Sequence, residues 1–390
     1  MKLKQFYYKE FISDYNIWVL SDLDLNDKVN LLVGKNATGK TRTIFRLSAL
    51  AGLIIGHQKT SLEVINSADF EALFADNLHT YIYSLATRNK NIASEILTID
   101  DIMKLNRSSD GSGYIYYEKE KKNISFQTSE NILIAASRRD NVQHPYLESL
   151  HKWANGIRCY YFSSSRDMGH RNMLATINLE EFANGDNAIN ETFRINELYL
   201  HAIKEFGDSF NKMIINYMHE IGYEISSLAI DKNPYTAIIE EDKSPLYMLC
   251  VKEEDRNANL YQTGMSQGMF RALSLLIQIT YNTMKGVSSI ILIDDIGEGL
   301  DFERSSKLIK LLIELAENND NIQLIMSTND RFVMNNVPLE YWQVIQRTGG
   351  ECKIYNYKNS KDIFDEFAYT GLNNFDFLAS DFVNSVKEFK

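Results

Sequence analysis

The stretch Gly34–Thr41 contains the residue types that bind a chain of phosphates. It reads Gly-Lys-Asn-Ala-Thr-Gly-Lys-Thr and fits the P-loop pattern G-x-x-x-x-G-K-T. In such a loop the glycines let main-chain N–H groups approach the phosphates, the lysine reaches the β- and γ-phosphates, and the final hydroxyl binds Mg²⁺. We therefore predict an ATP-binding loop with the ligands Gly34, Lys35, Asn36, Ala37, Thr38, Gly39, Lys40, Thr41 and Arg42.

A second group of candidate residues follows the small and apolar run Ser288–Ile293, which ends in Asp294 and Asp295. In P-loop NTPases, an aspartate at the end of a buried strand holds Mg²⁺. Asp294 and Thr41 are therefore predicted to form the metal site. Asp295 is predicted to lie beside the water that attacks the γ-phosphate. Glu298, in the turn after the strand, is an alternative for that task.

Two further polar residues follow apolar stretches. Asn329 comes after Gln323–Met326, and its side-chain amide can hydrogen-bond a γ-phosphate oxygen, although it cannot carry a proton. Arg166 comes after Gly156–Ser163 and is a candidate phosphate contact, with a surface ion pair as the alternative.

The segment Ser266-Gln267-Gly268 precedes a strongly helical run, Phe270–Met284. Ser266 is predicted to cap that helix, and a hydroxyl, a close-approach glycine and a helix N-terminus together form a second anion site. Since the P-loop already holds one ATP, we predict that this second site caps the γ-phosphate of an ATP bound to another copy. The alternative is that Ser266 only caps a core helix.

The elements that must position these residues can be predicted from hydrophobic periodicity. Val29–Val33 is predicted as a buried strand before the P-loop, and a helical pattern follows the loop through Ile54. The other predicted strands are 2–10, 15–25, 80–85, 94–98, 113–118, 123–127, 156–163, 225–230 and 246–251, and the other predicted helices are 69–76, 146–153 and 188–221. The strands between 80 and 127 predict an antiparallel lobe after the first helix.

Composition sets limits on the class of protein. The 390 residues are 44% hydrophobic and 24% charged, which is typical of a globular protein, and the net charge of −11 excludes a basic nucleic-acid footprint at the level of the whole chain. Three scattered cysteines predict neither a disulfide framework nor a zinc site. Without an apolar leader or a long apolar run, the sequence predicts a cytoplasmic protein that does not enter a membrane.

Four motifs in a fixed order resemble the ATPases of the ABC class, in the branch that contains RecF, SMC-type and OLD proteins. Gly34–Thr41 corresponds to Walker A, Met265–Met269 to the LSGGQ-like signature, Ile290–Asp295 to Walker B and Gly299–Asp301 to the D-loop. The signature match is loose, because Gln267 and Met269 depart from the pattern. The glutamate that the family carries after Walker B is Asp295 here, one methylene shorter, which predicts slow hydrolysis. The H-loop position, where the family often carries histidine, falls at Ser327–Asp330, so the resemblance makes Asn329 the third catalytic candidate.

The resemblance implies an α/β P-loop NTPase of ABC/SMC-head type, with an antiparallel β lobe and a helical lobe inserted between Walker A and Walker B. It divides one composite domain, 1–390, into a core (1–56, 156–170 and 286–350), a β lobe (78–135), a helical lobe with the signature-like motif (176–285) and a C-terminal packing or docking segment (351–390). It also implies a head-to-tail homodimer or larger homo-oligomer, in which Ser266, Gln267 and Gly268 contact the partner's ATP.

By the same resemblance the chain is an ATP- and Mg²⁺-dependent ATPase. Too few residues follow Asn329 for the TOPRIM nuclease domain of OLD proteins, so we predict control of a separately encoded effector, such as a nuclease, in bacterial anti-phage defence. The alternatives are a RecF/SMC-like repair ATPase that binds DNA, and a scaffold that binds ATP without turnover. Residues that can contact nucleic acid are Lys119, Lys121, Lys122, Arg138 and Arg139, but the interpretation favoured for an acidic protein is that they are solvated surface positions.

Overall fold

Most strands of the molecule belong to one long mixed sheet. The structure is a computed structural model that describes residues 1–13, 16–56, 65–161, 177–178, 195–232, 246–256 and 258–388. Its strands are β1 (Lys2–Ser13), β2 (Asn16–Asp24), β3 (Val29–Val33), β4 (Ala68–Ala75), β5 (Thr80–Arg88), β6 (Asn91–Ile99), β7 (Ile102–Arg107), β8 (Ser112–Tyr117), β9 (Lys122–Gln127), β10 (Ile157–Tyr161), β11 (Ile177–Asn178), β12 (Ile225–Lys232), β13 (Leu246–Glu253), β14 (Asn259–Tyr261), β15 (Ser289–Asp294), β16 (Ile322–Ser327), β17 (Trp342–Thr348) and β18 (Glu351–Asn356). Fourteen of them form the sheet, in the order β10-β15-β16-β3-β17-β18-β2-β1-β4-β5-β6-β7-β8-β9.

Helices cover both faces of this sheet near β3. They are α1 (Lys40–Ile54), α2 (Ile134–Ser137), α3 (Pro145–Asn155), α4 (Ile195–Phe206), α5 (Asp208–Glu220), α6 (Gln267–Lys285), α7 (Phe302–Glu317), α8 (Arg331–Asn336), α9 (Lys361–Ala368), α10 (Asn374–Ala379) and α11 (Phe382–Glu388). Leu31 packs in the core that contains α4–α7, whereas Leu32 packs in the core that contains α1 and α3. Every residue of β3 is buried, as a strand covered on both faces requires.

The strands around β3 run parallel and bring their carboxyl ends to one edge. β10, β15, β16, β3 and β17 are all paired in parallel. The P-loop follows β3, Asp294 ends β15 and Ser327 ends β16. Because ligands of open α/β sheets bind at the carboxyl ends of the strands, this edge is where the predicted site residues can meet.

The antiparallel strands continue the same sheet. β2, β1 and β4–β9 pair antiparallel in sequence, as the predicted β lobe requires. The predicted helix at 69–76 is wrong: Ala68–Ala75 is β4, whose buried and less buried residues alternate along the strand. Pairing with β1 and β5 overrides the helix propensity of its alanines, leucine and glutamate. The predicted subdivision into lobes stays a prediction, because the sheet runs through core and lobe without a break.

A second, four-stranded sheet and three helices form the part that carries the signature-like motif. The strand order is β11-β13-β12, and β14 pairs with β13. The single helix predicted over 188–221 is two helices, α4 and α5, which are separated by Gly207 at φ 62°. Residues 188–194 lie outside the described part of the chain.

The last three helices pack on the core beside β17. Phe364, Phe367 and Phe377 are buried, and the Phe377 ring contacts the Trp342 ring with 6.2 Å between centroids. Asp381, between α10 and α11, contacts the P-loop, where Lys35 Nζ lies 3.2 Å from its Oδ2. The predicted packing of this phenylalanine-rich segment is therefore observed. No helix in the described part of the chain is long and apolar enough to cross a membrane.

Candidate nucleotide-binding site

The P-loop has a backbone that requires its glycines. A Cβ on Gly34 would lie 2.6 Å from the carbonyl oxygen of Ile345, and Gly39 has φ 109°. Gly39 is the N-cap of α1, and no side chain accepts a hydrogen bond at the start of this helix. The first turn of α1 also contains no acidic residue. The first N–H groups of α1 and the positive end of its dipole therefore form an anion site.

The Lys40 side chain lies inside this loop. Only 6% of the residue is exposed, and Nζ donates hydrogen bonds to the carbonyl oxygens of Gly34 (2.8 Å) and Lys35 (3.3 Å). Burial lowers the pKa of Lys40, while the carboxylates of Asp295 and Asp294 oppose that shift. The loop thus holds its cation at the place where phosphate oxygens bind in a P-loop.

Asp294 and Thr41 lie in contact at the ends of β15 and the P-loop. Thr41 Oγ1 donates to Asp294 Oδ1 at 3.0 Å, and Ser327 Oγ donates to the same oxygen at 2.6 Å. Asp294 is fully buried, and no donor among the described residues reaches its second oxygen, Oδ2. Burial raises the pKa of Asp294, and the hydrogen bonds from Ser327 and Thr41 oppose the rise.

This arrangement fits a magnesium ion. A buried carboxylate oxygen without a donor is costly unless a cation neutralises it, and the neighbouring hydroxyl of Thr41 supplies a second oxygen ligand. Sequence reasoning missed Ser327, which orients Asp294. The available signal was its position at the end of the strand that precedes Asn329.

Asp295 and Asn329 follow the ends of the neighbouring strands β15 and β16, and their side chains are in contact. Asn329 Nδ2 donates to Asp295 Oδ1 at 3.1 Å, and the main-chain N–H of Asp295 donates to Ser327 Oγ at 3.0 Å. Asp295 has φ 55°. Glu298 is exposed in the following turn, and it lines a cavity of about 310 Å³ together with Asp295 and Asn329. All three catalytic candidates thus border one space, and their roles stay predictions.

A cavity of about 400 Å³ opens over the P-loop, and Asn329 lines it as well. Its other lining residues are Trp18, Asn36, Ala37, Gly39, Lys40, Thr41, Arg42 and Arg347. Arg347 donates to the carbonyl oxygen of Ala37 at 3.0 Å, and the Arg42 guanidinium lies 5.0 Å from the Trp18 ring centroid. Sequence reasoning missed Trp18 and Arg347, because sheet pairing rather than a local motif brings them to the loop.

The Ser266 turn lies at the surface, outside the lining of the P-loop cavity. Ser266 is the N-cap of α6, and its Oγ accepts a hydrogen bond from the Met269 N–H at 3.2 Å. Gln267 is also exposed, whereas Gly268 is buried. The predicted cap by Ser266 is observed. Ser266 and Gln267 are accessible at the surface, and their predicted contact with a second copy stays a prediction. Arg166 lies outside the described residues.

The basic residues of the antiparallel end are partly neutralised. Arg139 forms an ion pair with Glu148 at 2.8 Å, and Lys122 pairs with Glu120. The Arg138 guanidinium lies over the Phe126 ring. These contacts favour the interpretation of this basic group as ordinary surface rather than a nucleic-acid site.

Solved structures show which fold this architecture represents. The chain resembles an Smc head bound to the C-winged helix domain of ScpA, with 12% identity and a TM-score of 0.52 over 91% of this chain and 97% of that chain. It also resembles an Smc head domain with an extended coiled coil, bound to the C-terminal domain of ScpA, from Pyrococcus furiosus. That match has 11% identity and a TM-score of 0.50 over 94% of this chain and 99% of the other.

The chain therefore has the fold of an SMC head domain, and the predicted ABC/SMC-type P-loop fold is confirmed. No protein-family model and no curated protein sequence matches it. At these identities the likeness concerns the fold alone.

Proposed function

We propose that this protein binds and hydrolyses ATP with Mg²⁺. The observation that carries the proposal is the buried contact of Thr41 with Asp294, whose second oxygen has no donor among the described residues, beside a P-loop that encloses Lys40. Thr41 and Asp294 would hold Mg²⁺, which neutralises phosphate charge when bound. The SMC-head fold supports the same assignment.

The proposed chemistry divides among a few residues. Lys40 and the N–H groups of α1 bind the β- and γ-phosphates, and they stabilise the negative charge that shifts during phosphoryl transfer. Asp295 accepts a hydrogen bond from the attacking water, and Asn329 fixes the orientation of the Asp295 carboxylate. The short Asp295 side chain makes slow hydrolysis the expected outcome.

We further propose that ATP joins two copies of the chain. The exposed Ser266 turn combines a hydroxyl with the N-terminus of the 19-residue helix α6, which favours an anion. This turn does not line the chain's own P-loop cavity. A partner's γ-phosphate is then its most economical ligand, and a homodimer would seal two ATP molecules.

The biological role is a finer proposal. Smc heads in the solved structures are bound to domains of ScpA. By analogy, this chain would control a separate effector protein. The proposed setting is anti-phage defence in the cytoplasm. A DNA-binding repair ATPase is the alternative. The paired state of Arg139 and Lys122 favours the protein partner.

Substitution at the two halves of the site tests ATP binding and dimerisation separately. Lys40→Ala removes the buried ammonium and is expected to weaken Mg-ATP binding by at least about 100-fold, measured by calorimetry. Ser266→Arg is expected to leave ATP affinity within about twofold but to abolish the ATP-driven dimer, measured by light scattering. Lys307→Ala, which removes a half-exposed lysine of α7 that pairs with Glu303, is the control.

Two outcomes contradict the proposal. Unchanged ATP affinity in Lys40→Ala would contradict the proposal that ATP binds at the P-loop. A wild-type protein that binds ATP and stays monomeric would contradict the proposed ATP-driven dimer. Affinity purification with Asp295→Asn addresses the role: a stoichiometric protein without DNA supports effector control, whereas DNA affinity that falls steeply with salt supports the repair alternative.

A further inference from the structure

A further cavity lies at the edge of the sheet opposite the P-loop. It has a volume of about 430 Å³, and it is lined by the end of α3 and by Gly156 and Ser288, which precede β10 and β15. Because β10 and β15 are parallel, this edge is formed by the amino ends of the strands, whereas Asp294 ends β15 at the other edge. A cavity of this size can hold a small organic ligand, and the proposed ATPase does not use it.

A buried arginine lines this cavity. Arg158, in β10, is 7% exposed, and its Nη1 donates to the main-chain carbonyl oxygens of Asn155 (2.6 Å) and Ile157 (2.8 Å). Within the described residues its Nε and Nη2 make no hydrogen bond, and its guanidinium forms no ion pair. Neither of these two nitrogens is enclosed by protein atoms. Arg158 therefore has donors available for a bound oxyanion.

Another buried arginine of the chain provides a contrast. Arg107 donates through Nη1 and Nη2 to four main-chain carbonyl oxygens. Arg158 has only two such bonds, and burial lowers its pKa without a described carboxylate that opposes the shift. A buried cation without a counter-ion is costly, so an anion in the cavity would stabilise this arginine.

Three consecutive side chains of α3 add donors to the same wall. Lys152 is exposed and forms no ion pair with a described residue. His151 Nδ1 accepts a hydrogen bond from Asn155 Nδ2 at 2.8 Å, so the neutral ring carries its proton on Nε2. Burial and the charge of Arg139 lower the pKa of His151, which keeps the ring neutral at pH 7. Trp153 Nε1 is buried and has no acceptor among the described residues.

The two carboxylates of the lining already have partners. Glu148 accepts hydrogen bonds from Nε (3.0 Å) and Nη2 (2.8 Å) of Arg139, and Asp76 accepts two main-chain N–H groups of its own turn. With Arg139, Lys152 and Arg158 against these two carboxylates, the charged side chains of the lining carry one net positive charge. The cavity is thus locally cationic in a chain whose net charge is −11.

We propose that this cavity binds the phosphate or carboxylate group of a small organic molecule, with Arg158 as the principal contact. The guanidinium fork matches the geometry of both oxyanions. Lys152 adds charge, and His151 adds the Nε2–H donor. An apolar part of the ligand would contact Trp153 and Val287, which line the same space. This site is separate from the P-loop, and the inference does not depend on the proposed ATPase.

Calorimetry with phenyl phosphate and benzoate tests the site, because the two probes share a ring and differ in the oxyanion. At least one probe is expected to bind with a Kd below about 1 mM, and the tighter one identifies the preferred oxyanion. Arg158→Met keeps the apolar stem, removes the fork and is expected to weaken binding by about tenfold or more. Arg158→Lys is expected to recover part of the affinity. Lys40→Ala is expected to retain this binding, which separates it from the P-loop.

Two matched controls accompany these variants. Arg107→Met removes a buried arginine outside the cavity and is expected to keep the wild-type affinity for the probes. If Arg158→Met fails to fold, the surface variant Lys152→Glu is expected to weaken binding by about tenfold, whereas Lys119→Glu, at another exposed lysine, is expected to leave it unchanged.

Two results would overturn the inference. The first is the absence of a heat of binding for either probe up to about 10 mM. The second is binding that is lost in Lys40→Ala and kept in Arg158→Met or Lys152→Glu, which would place the probes at the P-loop. Failure of the protein to bind ATP, in contrast, would overturn the proposed function and leave this site unaffected.

Discussion

At the scale of single residues, the backbone conformation at position 295 favours aspartate over glutamate. A φ of 55° lies in the left-handed region, which aspartate and asparagine enter more readily than glutamate does. The ABC-class motif predicted from the sequence carries glutamate at this position, whereas this chain combines a turn suited to aspartate with a carboxylate that reaches less far. The hydrogen bond from Asn329 then fixes where the shorter side chain points.

Asp295→Asn separates nucleotide binding from hydrolysis. Asparagine tolerates the same backbone but cannot accept a proton, so ATP binding and dimerisation are expected to persist while single-turnover hydrolysis slows by about 100-fold or more. Glu298→Gln is the companion variant, since it removes the alternative base. A larger loss in Glu298→Gln than in Asp295→Asn would transfer the role to Glu298.

At the scale of elements, an ion pair anchors the P-loop helix to the sheet. Arg46 of α1 donates to Glu10 of β1 at 2.6 Å, with about a tenth of each side chain exposed (10% and 11%). The Arg46 guanidinium also lies 5.5 Å from the Tyr8 ring centroid. Because α1 begins at Lys40, this pair helps to fix the helix whose first turn is proposed to bind phosphate.

Arg46→Met is expected to lower the free energy of unfolding by about 3 kcal/mol, because Glu10 is left buried without its partner. Chemical denaturation measures the change. Lys212→Met, which breaks the exposed pair of Lys212 with Asp208, is the control and should cost less than about 0.5 kcal/mol. Equal effects of the two substitutions would show that the Arg46 pair behaves as a surface contact.

The elements also show how far sequence reasoning extends. Local signals were sufficient for β3, the P-loop, the Ser266 cap and β15, because each is specified by residues adjacent in the chain. They failed at β4, where alternation of buried positions competed with helix-forming residues, and β7 was not predicted at all. Trp18 and Arg347 reach the cavity over the P-loop only through sheet pairing over long sequence separation, which no local pattern encodes.

At the scale of the whole molecule, the C-terminal helices complete the core and reach the P-loop. Phe377 is 1% exposed and contacts Trp342, Phe364 and Phe367. Four residues later Asp381 forms its ion pair with Lys35. Packing of this segment is therefore linked to the loop that is proposed to bind phosphate.

Phe377→Ala is expected to lower the free energy of unfolding by about 3–5 kcal/mol, because it leaves a cavity among four aromatic rings, those of Trp342, Phe364, Phe367 and Phe382. Thermal melting followed by circular dichroism checks it. Tyr369→Ala removes a ring of similar size that is 91% exposed, and it should change stability by less than about 0.5 kcal/mol. A destabilisation of similar size in both variants would mean that the segment is held by something other than Phe377.

The order of strands has a consequence for how the protein is made. β3 lies between β16 and β17, so Leu31 pairs with Met326 on one side and with Trp342 on the other. A nascent chain still attached to the ribosome has neither neighbour of β3 until residues beyond Ile322 have emerged. The strand before the P-loop therefore stays unpaired until β16 and β17 have been synthesised, and a product that ends before Ile322 leaves both edges of this strand unpaired, where chaperones and proteases can recognise them.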